Sequence, residues 1–444
     1  MTLLVALVAD DLTGALDASA PFAAAGLPTS VLLRPLAEAA PEPLPAVVGV
    51  SSESRDLPPG EAVEQMAAVV RDLLPTAPRL WFKKLDSALR GQPGPELARL
   101  AALLGVRRLL AAPTLPGEGR VVVGGQLLVD GRPVHQTPLG VRRRGSSAVE
   151  RLATGGLAAR SLPLATVRDP AALAAALDPW GEPGLLVADA ETDADLAALA
   201  AAVLASGTRL CAGSAGLASG LAAGGWRLAG DGLAAGGWRL AGDGLAAGGW
   251  RLAAGDGSAA ASRQPPAASQ KPVLVVAGSR HPMAARQLTH AQWHAGVRVV
   301  PAGLSAADGE RARREVVAVL AAGRHAALTT VGLAEAPDGG FAVSARLGAV
   351  VADPAVAALA GGLVLTGGDV AGAVCRALGA TRIDLWGEAR PNVPTGWLAL
   401  PGGARLPVVT KAGSFGDEEV LTAAVGWLAG GLCSSTRSCL APNC

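Results

Sequence analysis

Short, continuous apolar runs alternate with Ala/Leu-rich stretches of helical spacing through most of the chain, and this alternation narrows the fold more than any other feature. In residues 1–220 the runs are LLVALVA (3–9), SVLLR (30–34), AVVGVSS (46–52), RLWFKKLD (79–86), LLAAP (109–113), LLVAD (185–189) and RLCAG (209–213). Helical patterns stand between them, among them ALDASAPFAAAG with its Gly stop, 61–74 and 94–104. A strand apolar on both faces needs helices on both sides, so the pattern predicts an α/β fold with a mainly parallel sheet. VVVGGQLLVDGRPVHQT breaks the rhythm and reads as a β-hairpin, with a DG turn between short strand-like runs.

The alternation resumes at 271–430, where KPVLVVAGS, VRVVPAG, HAALTTVG and GGLVLT read as strands and MAARQLTHAQWHAG and ERARREVVAVLAAG as helices. Between the halves, 221–257 holds three near-copies of LAAGGWRLAGDG, followed by a Pro/Ser/Ala stretch. The period is too short for most solenoids, so the segment reads as an expanded linker, an aromatic interaction surface being the other reading. At roughly 150 residues per domain, 444 residues then comprise two α/β domains, 1–220 and 271–430, with a flexible linker at 221–270 and a tail at 431–444. A cleft between the two is the natural ligand site.

A net charge of +1 excludes a sequence-blind nucleic-acid binder. A membrane-spanning helix needs about 20 apolar residues; the nearest approach, 354–368, reads as a buried helix running into a core strand. MTLLVALVADD lacks a basic leader region and reads as a strand. Cys211 and Cys375 sit in apolar contexts, and Cys433, Cys439 and Cys444 lack zinc-site spacing. These features predict a cytoplasmic protein with no membrane or nucleic-acid partner. Only four of the 38 basic Lys/Arg residues are lysine (Lys83, Lys84, Lys271 and Lys411), which singles those positions out.

Three Gly-bearing turns mark the C-terminal half: AGSR (277–280), TGGDVAG (366–372) and KAGSFGD (411–417), the last carrying Lys411. A Gly turn leading into a helix aims backbone N–H groups at an anion, so the three together predict nucleotide-phosphate binding. Neither a Walker GxxxxGK[ST] nor a dinucleotide GxGxxG pattern is present. The N-terminal half places DDLTG (10–14), ESRD (53–56) and KKLDSALRG (83–91) after strands, gathering Asp10, Asp11, Arg55, Lys84, Asp86, Ser87 and Arg90 at strand ends. Such a mouth suits a small anionic polyol, Arg gripping a carboxylate and Asp accepting hydroxyl protons. The plainer alternative is helix capping by Asp10 and surface ion pairs. His290 and His294 lie on a solvated helix face, and His135 in the hairpin stays unassigned.

In order, VADDLTGALDASAPFAAAGLPTSVLL, SRDL, KKLDSALRGQPGPEL, AAPTLPGEGRVVVGGQLLVDGRPVHQT, DAETDADL, CAGSAGLA, VLVVAGSRHPMAARQL, GLVLTGGDVAGAV and LPVVTKAGSFGDEEVL resemble the four-carbon acid sugar kinase family. The resemblance covers nearly the whole chain outside the repeat and the tail. It implies an N-terminal sugar-acid-binding domain, a C-terminal nucleotide-binding domain, and ATP- and Mg²⁺-dependent phosphorylation of threonate, erythronate or 3-oxo-tetronate at the 4-hydroxyl. It implies that Asp10, Asp11, Thr13, Arg55, Lys84, Leu85, Asp86, Ser87 and Arg90 line the acid site. For ATP it implies Ser279, Gly367, Gly368, Asp369, Lys411, Gly413, Ser414, Phe415 and Gly416. Asp369 is the expected metal contact, Asp11 or Asp86 the expected base, and Arg55 or Arg90 the expected carboxylate clamp, with room for a homo-oligomer. The competing readings are a kinase for another sugar acid or polyol, and a non-catalytic nucleotide or sugar-acid sensor, which Val370 would permit, standing where the family carries Thr or Ser.

Overall fold

The computed structural model describes residues 3–41, 43–140, 145–178, 182–226, 271–278, 281–303, 305–331, 339–413 and 415–430. The tail and nearly all of the repeat linker lie outside them. The N-terminal half contributes β1 (Val5–Ala9), β2 (Thr29–Leu32), β3 (Val47–Ser51), β4 (Leu80–Lys84), β5 (Arg108–Ala112), β6 (Arg120–Val123), β7 (Gln126–Val129), β8 (Arg132–Pro133), β9 (Ala159–Leu162), β10 (Gly184–Ala188) and β11 (Leu210–Gly213). The C-terminal half contributes β12 (Val273–Ala277), β13 (Arg298–Pro301), β14 (Ala326–Thr329), β15 (Gly362–Thr366), β16 (Arg382–Arg390), β17 (Val393–Ala399) and β18 (Arg405–Lys411). Every strand proposed from the apolar runs is present, with ends shifted by up to three residues.

The α/β reading and the two halves hold, but the apolar pattern does not show how the halves meet. Their sheets fuse into one of 15 strands, ordered β13-β14-β12-β15-β18-β17-β16-β2-β3-β1-β4-β11-β5-β10-β9. Within this sheet the ladders of each half are parallel except around β16 and β17, β6, β7 and β8 forming a separate antiparallel sheet. The seam is an antiparallel pairing of β2 with β16, Thr29 opposite Leu385 and Leu32 opposite Arg382. Side chains alternate across a strand, so β1 sends Val5, Leu7 and Ala9 into an apolar core shared by both halves. Ala6 and Val8 go into a core confined to the N-terminal half.

One helix sits over this seam. Its sequence, LTGALDASAPFAA, is small or apolar all round, as expected of a helix without a solvent face; α1 (Leu12–Ala24) is buried along almost its whole length. It packs on β3 and β16 and on the helix Gly368–Ala377 of the other half. Asp11 caps it, accepting from the Gly14 N–H at 2.7 Å.

The hairpin has the expected DG turn and a second turn before it. β6 and β7 turn at Gly124–Gly125, both with positive φ, while Asp130 and Gly131 turn β7 into the short β8. Left-handed backbone at both central residues matches the strand twist.

Candidate active site

At the C-terminal ends of β1, β3 and β4, carboxylates and guanidinium groups interlock. Arg55 grips Asp10 along its Nε/Nη2 edge, at 3.0 and 2.8 Å, while its Nη1 donates to Asp11. Arg90 grips Asp86 along the same edge, at 3.0 and 2.7 Å, and Asp86 also accepts from the N–H groups of Ala88 and Arg90. Both expected carboxylate clamps are therefore already matched to the protein's own carboxylates. Burial raises the Asp86 pKa, but Arg90, Arg55 and Lys84 outweigh it and hold the carboxyl well below its ordinary value. Asp10 ends below its ordinary value as well, burial being overcome by Arg55. Asp11 stays above it: burial dominates and, with the repulsion of Asp10 added, outweighs Arg55, Lys84 and the Gly14 N–H.

The adjacent lysines diverge because β4 alternates its faces. Lys83 is buried in an ion pair with Glu96 at 2.9 Å, and Glu96 also accepts from the Ser54 hydroxyl. Lys84 donates to the Leu85 carbonyl at 3.0 Å. A Cβ on Gly14 would stand 2.6 Å from Asp11 Oδ1 and 3.3 Å from the Lys84 Nζ, so a larger residue there would displace the capping carboxylate. Leu85 departs from expectation. Its side chain is in the apolar core, its N–H donates to Gly213 O and its carbonyl accepts from Lys84, leaving nothing to offer a ligand.

The nucleotide-side turns reach this cluster from the other half. Gly367 has φ 95° and caps the helix Gly368–Ala377, a backbone that favours glycine. A Cβ on Gly368 would stand 2.8 Å from Thr13 Oγ1 and 3.3 Å from Asp11 Oδ2. Thr13 is 5% exposed, and its hydroxyl has no hydrogen-bond partner among the described residues. Lys411, at the end of β18, donates to the carbonyls of Ala412 and Gly413 at 2.8 and 3.2 Å. Burial pushes its pKa down to about 8, opposed by Asp17 and Glu118. Gln287 holds the following loop, its Nε2 donating to the carbonyls of Phe415, Gly416 and Asp417. Ser279 and Ser414 lie outside the described residues.

Asp369 is exposed in the first turn of its helix. Among the described residues, no group of three or more His, Cys, Asp or Glu is arranged to hold a metal. Mg²⁺ is commonly bound by one or two carboxylates together with substrate phosphates and water. A single exposed carboxylate at a helix N-terminus facing the junction fits that mode.

Four residues escaped the sequence reading. Asp17 stands among the small residues of α1. It is buried, one of its oxygens has no partner among the described residues, and burial raises its pKa well above the usual range, opposed mainly by Lys84. Its spacing from Thr13 and Gly14, four and three residues, puts all three on one helix face, which was the available signal. Glu53 lies in the ESRD turn and interacts electrostatically with Asp11, Arg376 and Asp369. Glu96 and Arg120 carried no spacing signal, being placed by tertiary contacts alone.

The comparisons with known proteins agree with this division. Residues 5–221 match a sugar-binding N-terminal domain, and 274–421 match a nucleotide-binding C-terminal domain. A D-threonate kinase of Cupriavidus necator is 32% identical over 433 residues, 94% of this chain and 95% of that protein. A 3-oxo-tetronate kinase of Methylobacterium radiotolerans is 30% identical over 97% of this chain and all of its own length, 100%. A D-erythronate kinase of Heliobacterium modesticaldum is 28% identical over 96% and 97%. A solved structure from Salmonella typhimurium LT2 shares the fold with a TM-score of 0.72 at 20% identity, covering 95% of this chain and 98% of that one. With its two domain matches, its full-length relatives and a glycine-capped helix abutting a carboxylate cluster, the chain belongs to the four-carbon acid sugar kinase family of ATP-dependent enzymes.

Proposed function

We propose that this chain transfers the γ-phosphoryl group of ATP to the terminal 4-hydroxyl of a four-carbon sugar acid, with D-threonate the first candidate and D-erythronate and 3-oxo-tetronate the others. The observation that carries the reading is the contact of Thr13 and Asp11 with Gly368 across the seam. Acceptor-side carboxylates and a phosphate-type helix N-terminus thus share one point.

In this reading Asp11 is the base. Its carboxyl holds a proton more readily than that of Asp10 or Asp86, and it faces the helix N-terminus where a transferred group would stand. Asp86 orients instead, fixed by Arg90 and two backbone N–H groups. Lys411 and the N–H groups opening the helix Gly368–Ala377 meet the phosphates. Asp369 would hold a magnesium ion that arrives with the nucleotide and offsets phosphate charge. Phosphoryl transfer depends mostly on positioning and electrostatics. Here the β2–β16 ladder that fuses the two sheets supports that positioning.

A coupled assay of ADP release against D-threonate, D-erythronate, 3-oxo-tetronate and longer sugar acids tests the reading. Turnover with a four-carbon acid supports it. Binding of acid and nucleotide without turnover would instead favour a sensor.

A further inference from the structure

Three arginines surround the acceptor side, and they are not equivalent. Arg55 and Arg90 each spend the Nε/Nη2 edge on a carboxylate. Arg120, at the start of β6, is 7% exposed and forms no ion pair among the described residues. Its Nη1 donates to Ser87 Oγ at 2.5 Å, and its guanidinium lies 5.3 Å from the centre of the Phe415 ring, which comes from the other half. Its Nε is buried and has no hydrogen-bond partner among the described residues.

A buried guanidinium with no carboxylate paired directly to it is costly unless an anion completes it. Burial lowers the Arg120 pKa, with Asp86 and Glu118 opposing, whereas Arg55 and Arg90 are raised by their carboxylates. With Phe415 beside the guanidinium and Ser87 on Nη1, the Nε/Nη2 edge is the one left unmatched among the described residues, and that edge suits planar, two-point recognition. Ser87 anchors the group to the acceptor-side segment that also carries Asp86. On the nucleotide side, Lys411 and a helix N-terminus already serve anions.

We propose that Arg120 is the residue that grips the carboxylate of the sugar acid, and so selects acids over neutral four-carbon polyols. This rests on the kinase reading above. In the reaction, the acid's 4-hydroxyl oxygen forms a bond to the γ-phosphorus as the bond from that phosphorus to the β–γ bridging oxygen breaks. ADP leaves with that oxygen, and the hydroxyl proton passes to Asp11. Arg120 neither gains nor loses a proton; it holds the far end of the acceptor.

Binding of D-threonate, D-erythronate and 3-oxo-tetronate by calorimetry, and turnover of these acids and of the neutral polyol threitol, are measured for wild type, Arg120→Met and Arg120→Lys. The expected result is acid affinity lowered on the order of 100-fold in R120M, with nucleotide affinity kept and the preference for acid over threitol lost. R120K, which keeps the charge but not the fork, falls between. Unchanged acid affinity in R120M, or a loss of nucleotide affinity instead, overturns the assignment. If R120M does not fold, R120K decides: wild-type acid affinity and selectivity in R120K overturn it. A wild-type protein that neither binds nor turns over any of the three acids overturns the functional reading, and this inference with it.

Discussion

Thr13 Oγ1 lies 2.8 Å from the point that a Cβ on Gly368 would occupy. One residue opens the seam helix of the acid-binding half; the other opens the helix behind the glycine turn of the nucleotide-binding half. In the proposed reading this close approach sets how near acceptor and donor come, and glycine is the residue that permits it.

Gly368→Ala should therefore reduce turnover more than stability. The added methyl would meet both the Thr13 hydroxyl and Asp11, and an ångström of separation between reactants costs on the order of 100-fold in rate. Steady-state kinetics beside a thermal melt check this. An enzyme as fast as wild type would show that the approach is not limiting.

Asp11→Asn and Asp86→Asn should fail differently. With Asp11 as base, D11N loses on the order of 100- to 10,000-fold in kcat while the fold persists, because Arg55 keeps its two-point grip on Asp10. D86N breaks the pair with Arg90, and a melt should show a loss of roughly 1–3 kcal/mol, moderated because the Arg90 side chain is 48% exposed. Equal kcat losses with unchanged stability in both variants would contradict the division of roles.

With Lys411 on the phosphates, as proposed, nucleotide binding should depend on pH. Its pKa is pushed down to about 8, so the free enzyme loses this cation as pH rises through that value. ATP affinity should weaken on the alkaline side in wild type and be weak and flat there in Lys411→Met. Lys411→Arg should not restore it, because a bulkier guanidinium would have to stand where the buried Nζ donates to two carbonyls. Nucleotide titrations on both sides of that pH decide the matter.

Glu388 marks a stability cost at the seam. Burial raises its pKa to about 7 from 4.5, with only the Asn392 N–H in opposition. Between those values the folded state binds more protons than the unfolded one, so this group's cost grows as pH rises from 4.5 to about 7 and is complete above. Glu388→Gln keeps an acceptor for Asn392 and should stabilise the protein above that range by up to about 3 kcal/mol. Denaturant titrations in acid and in mild alkali should show the gain only in the latter.

The sequence by itself determined most of the strands, though not β9, β16 or β17, together with the two halves and most of the polar residues at their mouths. Apolar runs such as VALVA and GLVLT can bury both faces only within a helix-covered sheet, and Gly-bearing turns advertise their backbone locally. The tertiary structure alone decided how those residues share charge. Arg55 and Arg90 look identical to Arg120 along the chain, yet the first two are matched by Asp10 and Asp86 and the third is not. Pairing depends on residues far apart in sequence meeting at the ends of strands, and the antiparallel β2–β16 seam that brings Thr13 to Gly368 leaves no periodic trace. Local pattern records what a segment must bury; only packing records which charge finds a partner.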